Sequence, residues 1–548
     1  MRRRSRIIPL GLVALVLPVA AWADDAPAAP KGLHPGPHTE VIPYIEADQV
    51  LSAEIAPGSD VVTYTTLAAG VDATVVGKNS AISASVRYER YISESSGTSD
   101  SDAISGVVRA SVALVPHAVT IEAGALASSA RVDSSGAAFS GTLAHDSATS
   151  SKIYSGYIGP SVETQLGDLQ VEAHYRFGYT KVQEPDAVVV GTTGLVPFDL
   201  ADESTTHNAQ ARIGFRPYTI LPVGVGVGGI WNEQDVSNLD QRVRDRNVHG
   251  DVTVPVSPSL AFAGGVGYED VEVSSRDAVR DAAGNPVIGK DGRYVTDKSA
   301  PRTIAYQTDG LIWDVGVMWR PSKRTSLEAY VGRRYDSTTY YGTFAYAPNS
   351  RESINVSVYD GISSFGAVIT DRLAGMPAQF TAVRNALSGD IGGCVASLEG
   401  GSCPGSIGSL ESAAFRSQGI SASYAIDLGR TTAGLGVGYD RRKFIAAPGT
   451  VLASADGVVD DTWWGAVYVS TKLDARSSIH FNATETLFDS GFDGSGDRAI
   501  GYSASLAYYR EIIAGLSGTA AAGIDGVTQQ SLPDIVSASA LLGLRYSF

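Results

Sequence analysis

SALLGLRYSF, residues 539–548, alternates between two kinds of residue up to the last position. Counted back from the C-terminus in steps of two, one set of residues is apolar: Phe548, Tyr546, Leu544, Leu542 and Ala540. The intervening residues, from Ser547 back to Ser539, are mostly small or polar. Successive side chains of a β-strand point to opposite faces, so this pattern predicts a strand with one apolar and one polar face. The chain therefore ends on a two-faced strand whose last residue is aromatic.

The same alternation recurs in residues 81–93, 169–179, 311–317 and 500–508. In the second of these stretches, Glu172, His174 and Arg176 share one face, and apolar or aromatic residues share the other. The apolar faces are rich in Ala, Gly and Val rather than the bulky residues of a packed two-sheet core, and no repeat of blade length is present. The pattern favours an all-β transmembrane barrel over a soluble sandwich or propeller.

Short and long connections alternate along the chain. Tight turns are predicted near residues 77–80, 115–117, 166–168, 218–222, 257–259, 320–324, 347–350, 428–430, 474–477 and 510–511. Longer polar connections are predicted at 94–102, 132–151, 182–205, 236–247, 271–303, 363–413 and 445–460. This asymmetry is typical of an antiparallel up-and-down barrel with short periplasmic turns and long extracellular loops. We predict about 22 strands of roughly 10 to 16 residues, with 20 strands as the alternative because the pairs near Val248 and Leu516 are weak.

Aromatic residues near strand ends suggest girdles at the two membrane interfaces, where an amphipathic ring suits the headgroup layer. The candidates are Tyr91, Tyr179, Trp319, Tyr335, Trp463 and Trp464.

The N-terminus predicts export. Four arginines precede an apolar run from Ile7 to Val19, and Ala21-Trp22-Ala23 is a small-x-small cleavage site. This predicts a signal peptide at 1–23, a Pro-rich periplasmic linker at 24–39 and a barrel at 40–548, in the outer membrane of a Gram-negative cell after Sec export. Only about 16 residues separate the cleavage site from the first strand, so an N-terminal plug domain is not expected.

Composition narrows the possible functions. The chain has 42 Lys and Arg against 58 Asp and Glu, a formal net charge of −16 at pH 7, and loses four arginines with the signal. An acidic chain without basic clusters is not expected to bind nucleic acid. After residue 23 no stretch is long and apolar enough for a transmembrane helix.

Charged residues on the polar strand faces are candidates for the lumen wall. They are Arg87, Glu89, Arg109, Glu122, Glu172, His174, Arg176, Arg212, Asp314, Glu328 and Arg334. Both signs are present, so strong ion selectivity is not expected. Tyr330 and Tyr341 are candidate inward-facing aromatics.

Several segments carry a family resemblance. Residues 319–327 (WRPSKRTSL) lead into 332–335 (GRRY), residues 59–64 (SDVVTY) lead into 67–71 (LAAGV), and 88–90 (YER) end the next strand. These segments resemble a family of β-barrel porins from proteobacterial outer membranes, whose members include barrels encoded near exosortase and exopolysaccharide loci. The resemblance covers nearly the whole mature chain and implies an outer-membrane barrel. It carries over no catalytic residue.

The terminal strand also resembles the closing strand of bacterial outer-membrane barrels. That resemblance implies that Leu544, Tyr546 and Phe548 are an assembly signal for the barrel-assembly machinery. Outer-membrane lipid and lipopolysaccharide are the other expected partners, and a polysaccharide is a candidate substrate.

Four further groups of residues are candidates for a disulfide, a catalytic site, a phosphate-binding loop or a metal site. Cys394 and Cys403 lie in the longest loop of an exported chain, so a structural disulfide is expected. Ser478, His480, Asn482 and Thr484 share a strand face, but a membrane hydrolase would need them toward lipid, and we interpret them as ordinary lumen residues. Glycines at 224–229 and 434–438 lack the following helix of a phosphate-binding loop, so they leave room in the lumen or let strands bend. Asp489, Asp493 and Asp497 lack a calcium-loop spacing.

The sequence therefore predicts no enzyme, no cofactor and no metal site. The leading hypothesis is a pore or export channel, with exopolysaccharide or another oligosaccharide as a candidate substrate. A structural or adhesive outer-membrane protein is the alternative, and a membrane-embedded hydrolase is a remote one. The loop 363–413, with a helix-capable stretch at 370–387, is predicted to fold over or into the barrel mouth and limit passage.

Overall fold

The computed structural model describes residues 37–94, 100–132, 137–139, 150–183, 203–289, 293–397, 408–409, 411–492, 498–529 and 533–548. The predicted signal peptide and most of the predicted linker lie outside these residues. The first strand begins at His38, two residues before the predicted start of the barrel.

Strands dominate the described residues. In chain order they are β1 (His38–Ala56), β2 (Val61–Val76), β3 (Ser80–Ser93), β4 (Ser101–Val115), β5 (Val119–Val132), β6 (Ala137–Phe139), β7 (Ser150–Leu166), β8 (Leu169–Gln183), β9 (Glu203–Phe215), β10 (Gly224–Val236), β11 (Gln241–Ser257), β12 (Leu260–Ser275), β13 (Thr303–Ser322), β14 (Thr325–Arg334), β15 (Ser337–Asn349), β16 (Glu352–Ser363), β17 (Thr381–Arg384), β18 (Ile391–Ala396), β19 (Gly408–Ser409), β20 (Ala414–Asp427), β21 (Thr431–Ile445), β22 (Val459–Lys472), β23 (Ser477–Asp489), β24 (Arg498–Ile513), β25 (Leu516–Gln529) and β26 (Ile535–Ser547). One α-helix, α1 (Phe365–Gly375), and two short 3-10 helices, Asn238–Asp240 and Ala453–Ala455, complete the described elements.

Twenty-two of these strands form one closed antiparallel ring, so the predicted fold and strand number are confirmed. Each strand pairs with its sequence neighbours, and β5 pairs with β7 and β16 with β20 across the connections that hold the four short strands. The ring closes where β1 pairs with β26, from Tyr44 opposite Ser547 to Ala56 opposite Val536. Closure satisfies the backbone hydrogen bonds of every wall strand and leaves no sheet edge.

The wall strands span 10 residues in β14 to 20 in β13, so several exceed the predicted length. The two weak predicted pairs are regular strands, with 17 residues in β11 and 14 in β25.

The outer face of the ring is an apolar band. Among its exposed side chains, Leu311 is 79% and Leu542 is 70% accessible, although both belong to regular strands. Water would penalise such a surface, whereas lipid stabilises it. None of the described helices has the length and apolar character of a membrane span. The closed ring with its apolar outer band is the architecture of an outer-membrane barrel, and the protein resides in that membrane.

The predicted aromatic girdle is half correct. Tyr179 and Trp319 are exposed on the outer face, and Trp463 stacks there on Tyr439 at a ring distance of 4.0 Å. Tyr91, Tyr335 and Trp464 are instead buried inside the barrel. Position near a strand end does not determine the face, because a shift of one residue reverses the side-chain direction.

The two ends of the barrel differ as predicted, although the end with the long loops also has short connections. The expected loop at 236–247 is only a short 3-10 connection, because β11 already begins at Gln241. Three charged residues of β11, Arg242, Arg244 and Arg246, point outward at every second position, above the apolar band. In the sequence alone, this charged stretch resembles a polar loop. At the same end, β14 and β15 are joined by only Tyr335 and Asp336.

The longest connection folds into the barrel. Its first part, residues 364–397, contains α1 and the hairpin of β17 and β18, and we call it the inserted segment. The helix α1 packs against β5, β7, β8 and β9, and β18 packs against β4, β21, β22 and β23. The predicted insertion of this loop into the barrel is therefore confirmed.

Candidate functional site

The inserted helix is held by two arginines of the wall. Arg109 donates from Nε to the carbonyl oxygen of Met376 at 3.1 Å and from Nη2 to that of Ala374 at 3.0 Å. These carbonyls lie at the C-terminal end of α1, where a positive charge is favourable. Arg176 forms an ion pair of 2.9 Å with Asp371, and both guanidinium groups lie 5.3 Å from the ring centre of Tyr157. One face of α1 is thus anchored on β4, β7 and β8.

Apolar contacts reinforce these polar ones. Leu373, Met376, Phe380 and Val395 of the inserted segment form a buried cluster with Val107 and Tyr157 of the wall. The helix covers Phe365–Gly375, so it starts about five residues earlier than the predicted stretch 370–387 and overlaps only the first part of it. Pro377 disfavours helical backbone at the residue before it, so the chain turns into the hairpin there.

The hairpin bonds to strands on another side of the lumen. Arg384 donates to the hydroxyl of Ser85 at 3.0 Å and to that of Ser105 at 2.8 Å. The amide of Asn482 on β23 donates to the carbonyl oxygen of Arg384 at 3.0 Å, and Asn385 donates to Ser503 on β24 at 3.3 Å. The segment is therefore fixed to both β3–β4 and β23–β24.

The tip of the hairpin reaches the seam of the ring. Leu387 packs in a cluster with Val50, Ala507, Ala521 and Leu541, from β1, β24, β25 and β26. Asp390, near the tip, is buried. Burial, followed by the negative charge of Glu89, raises the pKa of Asp390 to about 7.

A cavity of about 300 Å³ with a mixed polar and apolar lining remains in the lumen, between α1 and the wall formed by β8–β11 and β13–β16. Five of the predicted lumen residues line it: His174, Arg176, Arg212, Asp314 and Arg334. We treat this cavity, with the segment that bounds it, as the candidate functional site.

The charged residues of the cavity wall are paired. Arg212 binds Asp251 at 2.6 Å, and Arg334 binds Asp245 at 2.7 Å. His249 lies 3.1 Å from Asp314, which also accepts the Tyr341 hydroxyl at 3.0 Å. Because of these contacts, the cavity wall offers hydrogen-bonding groups without a large excess of positive or negative charge.

Aromatic rings contribute to the same wall. Tyr341 stacks on Tyr330 with ring centres 4.8 Å apart and planes at 11°. Tyr341 lines the cavity, so the predicted inward direction of this pair is confirmed.

Glycines let these large side chains lie against the wall. A Cβ at Gly226 would approach Nη2 of Arg212 to 2.3 Å, and one at Gly265 would approach the His249 ring to 2.2 Å. Such approaches require glycine on the neighbouring strand. The glycines of 224–229 therefore make room in the lumen, as predicted, and the cavity stays open.

The sequence analysis missed the five amides of the cavity wall; Asn208 is bonded to His174 and Gln234 to the backbone N–H of Ser364. Gln210, Asn232 and Asn247 lie on the adjacent strands β9, β10 and β11 and line the cavity. We call them the amide patch. Polar residues at every second position, as in 208–212 (NAQAR), were the available signal, but charged residues had been preferred as candidates.

The remaining predicted lumen residues lie on the same inner face, away from the cavity. Arg87 contacts Glu89 and lies 2.5 Å from Glu46 and 3.4 Å from Asp48. Glu328 pairs with Arg320 at 2.6 Å. Glu172 lies opposite Arg212 in the register of β8 and β9. Glu122 lies two residues from Gly124, which faces Leu373 of α1.

The structure describes the other predicted groups of residues only in part. His480 Nε2 lies 3.1 Å from the Ser478 hydroxyl, but the Asn482 amide is bound to Arg384 and Ser505. Asp489 pairs with Arg498, while Asp493 and Asp497 lie outside the described residues. Cys403 also lies outside them, so its disulfide with Cys394 remains a prediction.

The terminal strand is shown in its predicted place. Leu544 and Tyr546 of β26 and the final residue Phe548 are exposed on the outer face. The rings of Tyr546 and Phe548 meet edge to face at 5.0 Å. Recognition of these residues during assembly remains a prediction.

Comparison with known proteins gives fold-level likeness only. No family model matches the chain, and no curated protein matches it in sequence. The FrpB iron transporter from Neisseria meningitidis (F5-1 variant, apoprotein form) is 11% identical, with 92% of this chain and 81% of that chain covered and a TM-score of 0.42. The ferric-catecholate import receptor Fiu from E. coli K12 in its closed form is 9% identical, with 94% and 82% covered and a TM-score of 0.42. The copper transporter OprC is 11% identical, with 94% and 82% covered and a TM-score of 0.39.

The outer-membrane barrel that the sequence resemblance implies is shown by the closed ring and its apolar outer face. The link to exopolysaccharide loci remains a prediction.

Proposed function

We propose that the protein is an outer-membrane channel whose passage runs beside the inserted segment. The observation that carries this proposal is the off-centre position of the segment. It docks on β1, β3–β5, β7–β10 and β21–β26 and leaves a cavity of about 300 Å³ between α1 and the wall of β8–β11 and β13–β16. A segment that touched the whole wall would leave no such space.

The solute that we propose is polar, with exopolysaccharide or another oligosaccharide as the candidate. Amides, paired charges and stacked tyrosines give the passage many hydrogen-bonding groups. Rings of unpaired charge, which would select ions of one sign, are not present among the described cavity residues. Transport in either direction is compatible with this wall.

Conductance in planar lipid bilayers tests the proposal. The matched variant lacks residues 365–412 and joins β16 to β20 by a short Gly-Ser linker, which is feasible because Ser363 and Phe415 are paired neighbours. We expect a low conductance for the full chain and a clear increase for the variant. A control variant with the extracellular connection at 277–301 shortened keeps the inserted segment and should conduct like the full chain.

A structural or adhesive role is the second candidate. Polar contacts on separate sides of the lumen, at Arg109 and at Asn482, hold the segment in place. The extracellular connection between β12 and β13 is also ordered by bridges such as Ala278 with Thr296, as a docking surface would be. If neither the full chain nor the deletion variant conducts, the channel proposal is wrong and this role takes its place.

A further inference from the structure

The amide patch has unused hydrogen-bonding capacity. Gln210, Asn232 and Asn247 make no side-chain hydrogen bond or ion pair with any other residue that the structure describes. Asn247 as a whole is only 8% accessible and lines the cavity, so its amide is reached through the cavity. An amide that faces a cavity and has no partner in the protein can exchange its water for a ligand that matches its donor and acceptor.

The charges around the amide patch argue against a charged ligand. Four of the five aspartates that line the cavity are in ion pairs with arginines: Asp245 with Arg334, Asp251 with Arg212, Asp360 with Arg416 and Asp371 with Arg176. The fifth, Asp314, accepts the Tyr341 hydroxyl and lies 3.1 Å from His249. The remaining lining arginine, Arg372, hydrogen-bonds Tyr359. An anionic or cationic ligand would have to break one of these pairs, whereas a neutral ligand would leave them intact.

The three amides surround an apolar centre. Ile230 of β10 lies directly opposite Gln210 on β9 and Asn247 on β11. Those two amides are therefore two strand spacings apart, about 10 Å, with Ile230 between them. Asn232 lies two residues further along β10, on the same face.

We infer that the amide patch and Ile230 form a binding subsite for a neutral, hydroxyl-rich ligand, the chemistry of an uncharged sugar unit. This inference rests on the proposed function, the passage of polar solutes. It specifies where in the passage a solute binds and that this solute is uncharged. Each amide offers both a donor and an acceptor, as each sugar hydroxyl does. Ile230 offers an aliphatic surface to the C–H face of a sugar ring. The adjacent paired charges exclude acidic sugars from the same position.

Isothermal titration calorimetry on the full chain in detergent tests the subsite without requiring conduction. The probes are a neutral linear hexose hexamer and a uronic-acid hexamer of similar length. We expect the neutral hexamer to bind at least tenfold more tightly than the anionic one. Equal or tighter binding of the uronic-acid hexamer, or no heat from the neutral one, would overturn the inference.

Variants locate the binding. Asn247→Leu and Gln210→Leu each keep side-chain size while removing hydrogen bonding, and each should weaken neutral-sugar binding about fivefold to tenfold. Asn355→Leu is the matched control, because Asn355 is an inward-facing amide of β16 that does not line the cavity, and its affinity should be unchanged. Folding of every variant is checked by heat-modifiable migration, and the charge preference of the full chain remains a test if a variant fails to fold.

The outcomes separate this inference from the proposed function. Conductance without neutral-sugar binding leaves the channel and removes the subsite. Sugar binding that is lost in Asn247→Leu, in a protein that does not conduct, leaves the subsite and removes the channel. Equal binding by Asn247→Leu, Gln210→Leu and the full chain places the sugar elsewhere and refutes the subsite.

Discussion

Arg176 on the barrel wall and Asp371 on the inserted helix are joined by an ion pair of 2.9 Å. The Arg176 side chain is 17% and the Asp371 side chain 42% accessible, so the pair lies at the edge of the cavity. On its other side, Arg176 faces the Tyr157 ring that also contacts Arg109. The boundary of the proposed passage thus depends on a half-exposed contact.

We predict that Asp371→Asn loosens the inserted helix without unfolding the barrel. A partly exposed ion pair contributes about 0.5–1 kcal/mol, because solvent screens it. The frequency of large-conductance openings in bilayers should therefore rise about twofold to fivefold. The control is Asp489→Asn, which breaks the Asp489–Arg498 pair on the outer rim and should leave the openings unchanged. An equal response of both variants would show that α1 is not held by this pair.

We also predict that docking of the hairpin tip depends on pH through Asp390. Its pKa is raised from 3.8 to about 7 in the docked position, by burial and then by Glu89, while Arg384 opposes the rise. The docked state therefore prefers the protonated carboxyl. The contribution of Asp390 protonation to the stability of the docked state is complete below pH 3.8, and it is lost as the pH rises through about 7.

Single-channel recording at pH 5 and pH 8.5 measures this effect. Openings should be rarer at pH 5, where Asp390 is protonated, and more frequent at pH 8.5. Asp390→Asn mimics the protonated form and should be insensitive over this range. A pH response that persists in Asp390→Asn would assign it to another group.

Much of the barrel was predictable because its signals are local. Strand alternation and turn residues act over a few positions, and 22 wall strands satisfy them. The start of β11 was not predictable in this way. Arg242, Arg244 and Arg246 continue the alternation beyond the lipid, where charged residues replace apolar ones on the outer face, and hydropathy alone does not distinguish this from a loop.

The interior was less predictable because it depends on contacts that are distant in sequence. Charge on a polar face identified Arg109 and Arg176, but nothing local indicated that α1 would lie against them. The insertion itself was inferred from the length and cysteines of the loop. The amide patch was missed since its significance comes from the ion pairs around it, which form between strands far apart in the chain.

Gly438 is predicted to be essential for packing inside the barrel. A Cβ there would lie 1.7 Å from Nε1 of Trp464, which is buried against Val383 and Ala396 of the inserted segment. Gly438→Ala should therefore displace the indole and destabilise the folded state by about 1–3 kcal/mol. Heat-modifiable migration should be lost at a lower temperature, with a shift in tryptophan fluorescence.

Gly465→Ala is the matched control for this variant. Gly465 is the residue after Trp464, and the nearest atom to a new Cβ there is Cγ1 of Val437 at 4.0 Å. Its effect should stay within about 0.5 kcal/mol. Similar losses of stability in the two variants would mean that the strands need glycine for their flexibility, and not because of the Trp464 contact.

Removal of Phe548 should impair assembly more than its contacts suggest. The residue is 71% accessible on the outer face, and its backbone N–H donates to the carbonyl oxygen of Pro43 at 3.0 Å. Loss of its burial in lipid costs about 2–3 kcal/mol at most, which a barrel of this size tolerates. Leu542→Ala removes a similarly exposed apolar side chain from the same strand and serves as the control. If the terminal aromatic is recognised during assembly, the truncated protein should fall several-fold in the outer-membrane fraction while the Leu542→Ala protein does not. Equal amounts of the two proteins in the outer-membrane fraction would mean that Phe548 acts only through its contact with lipid.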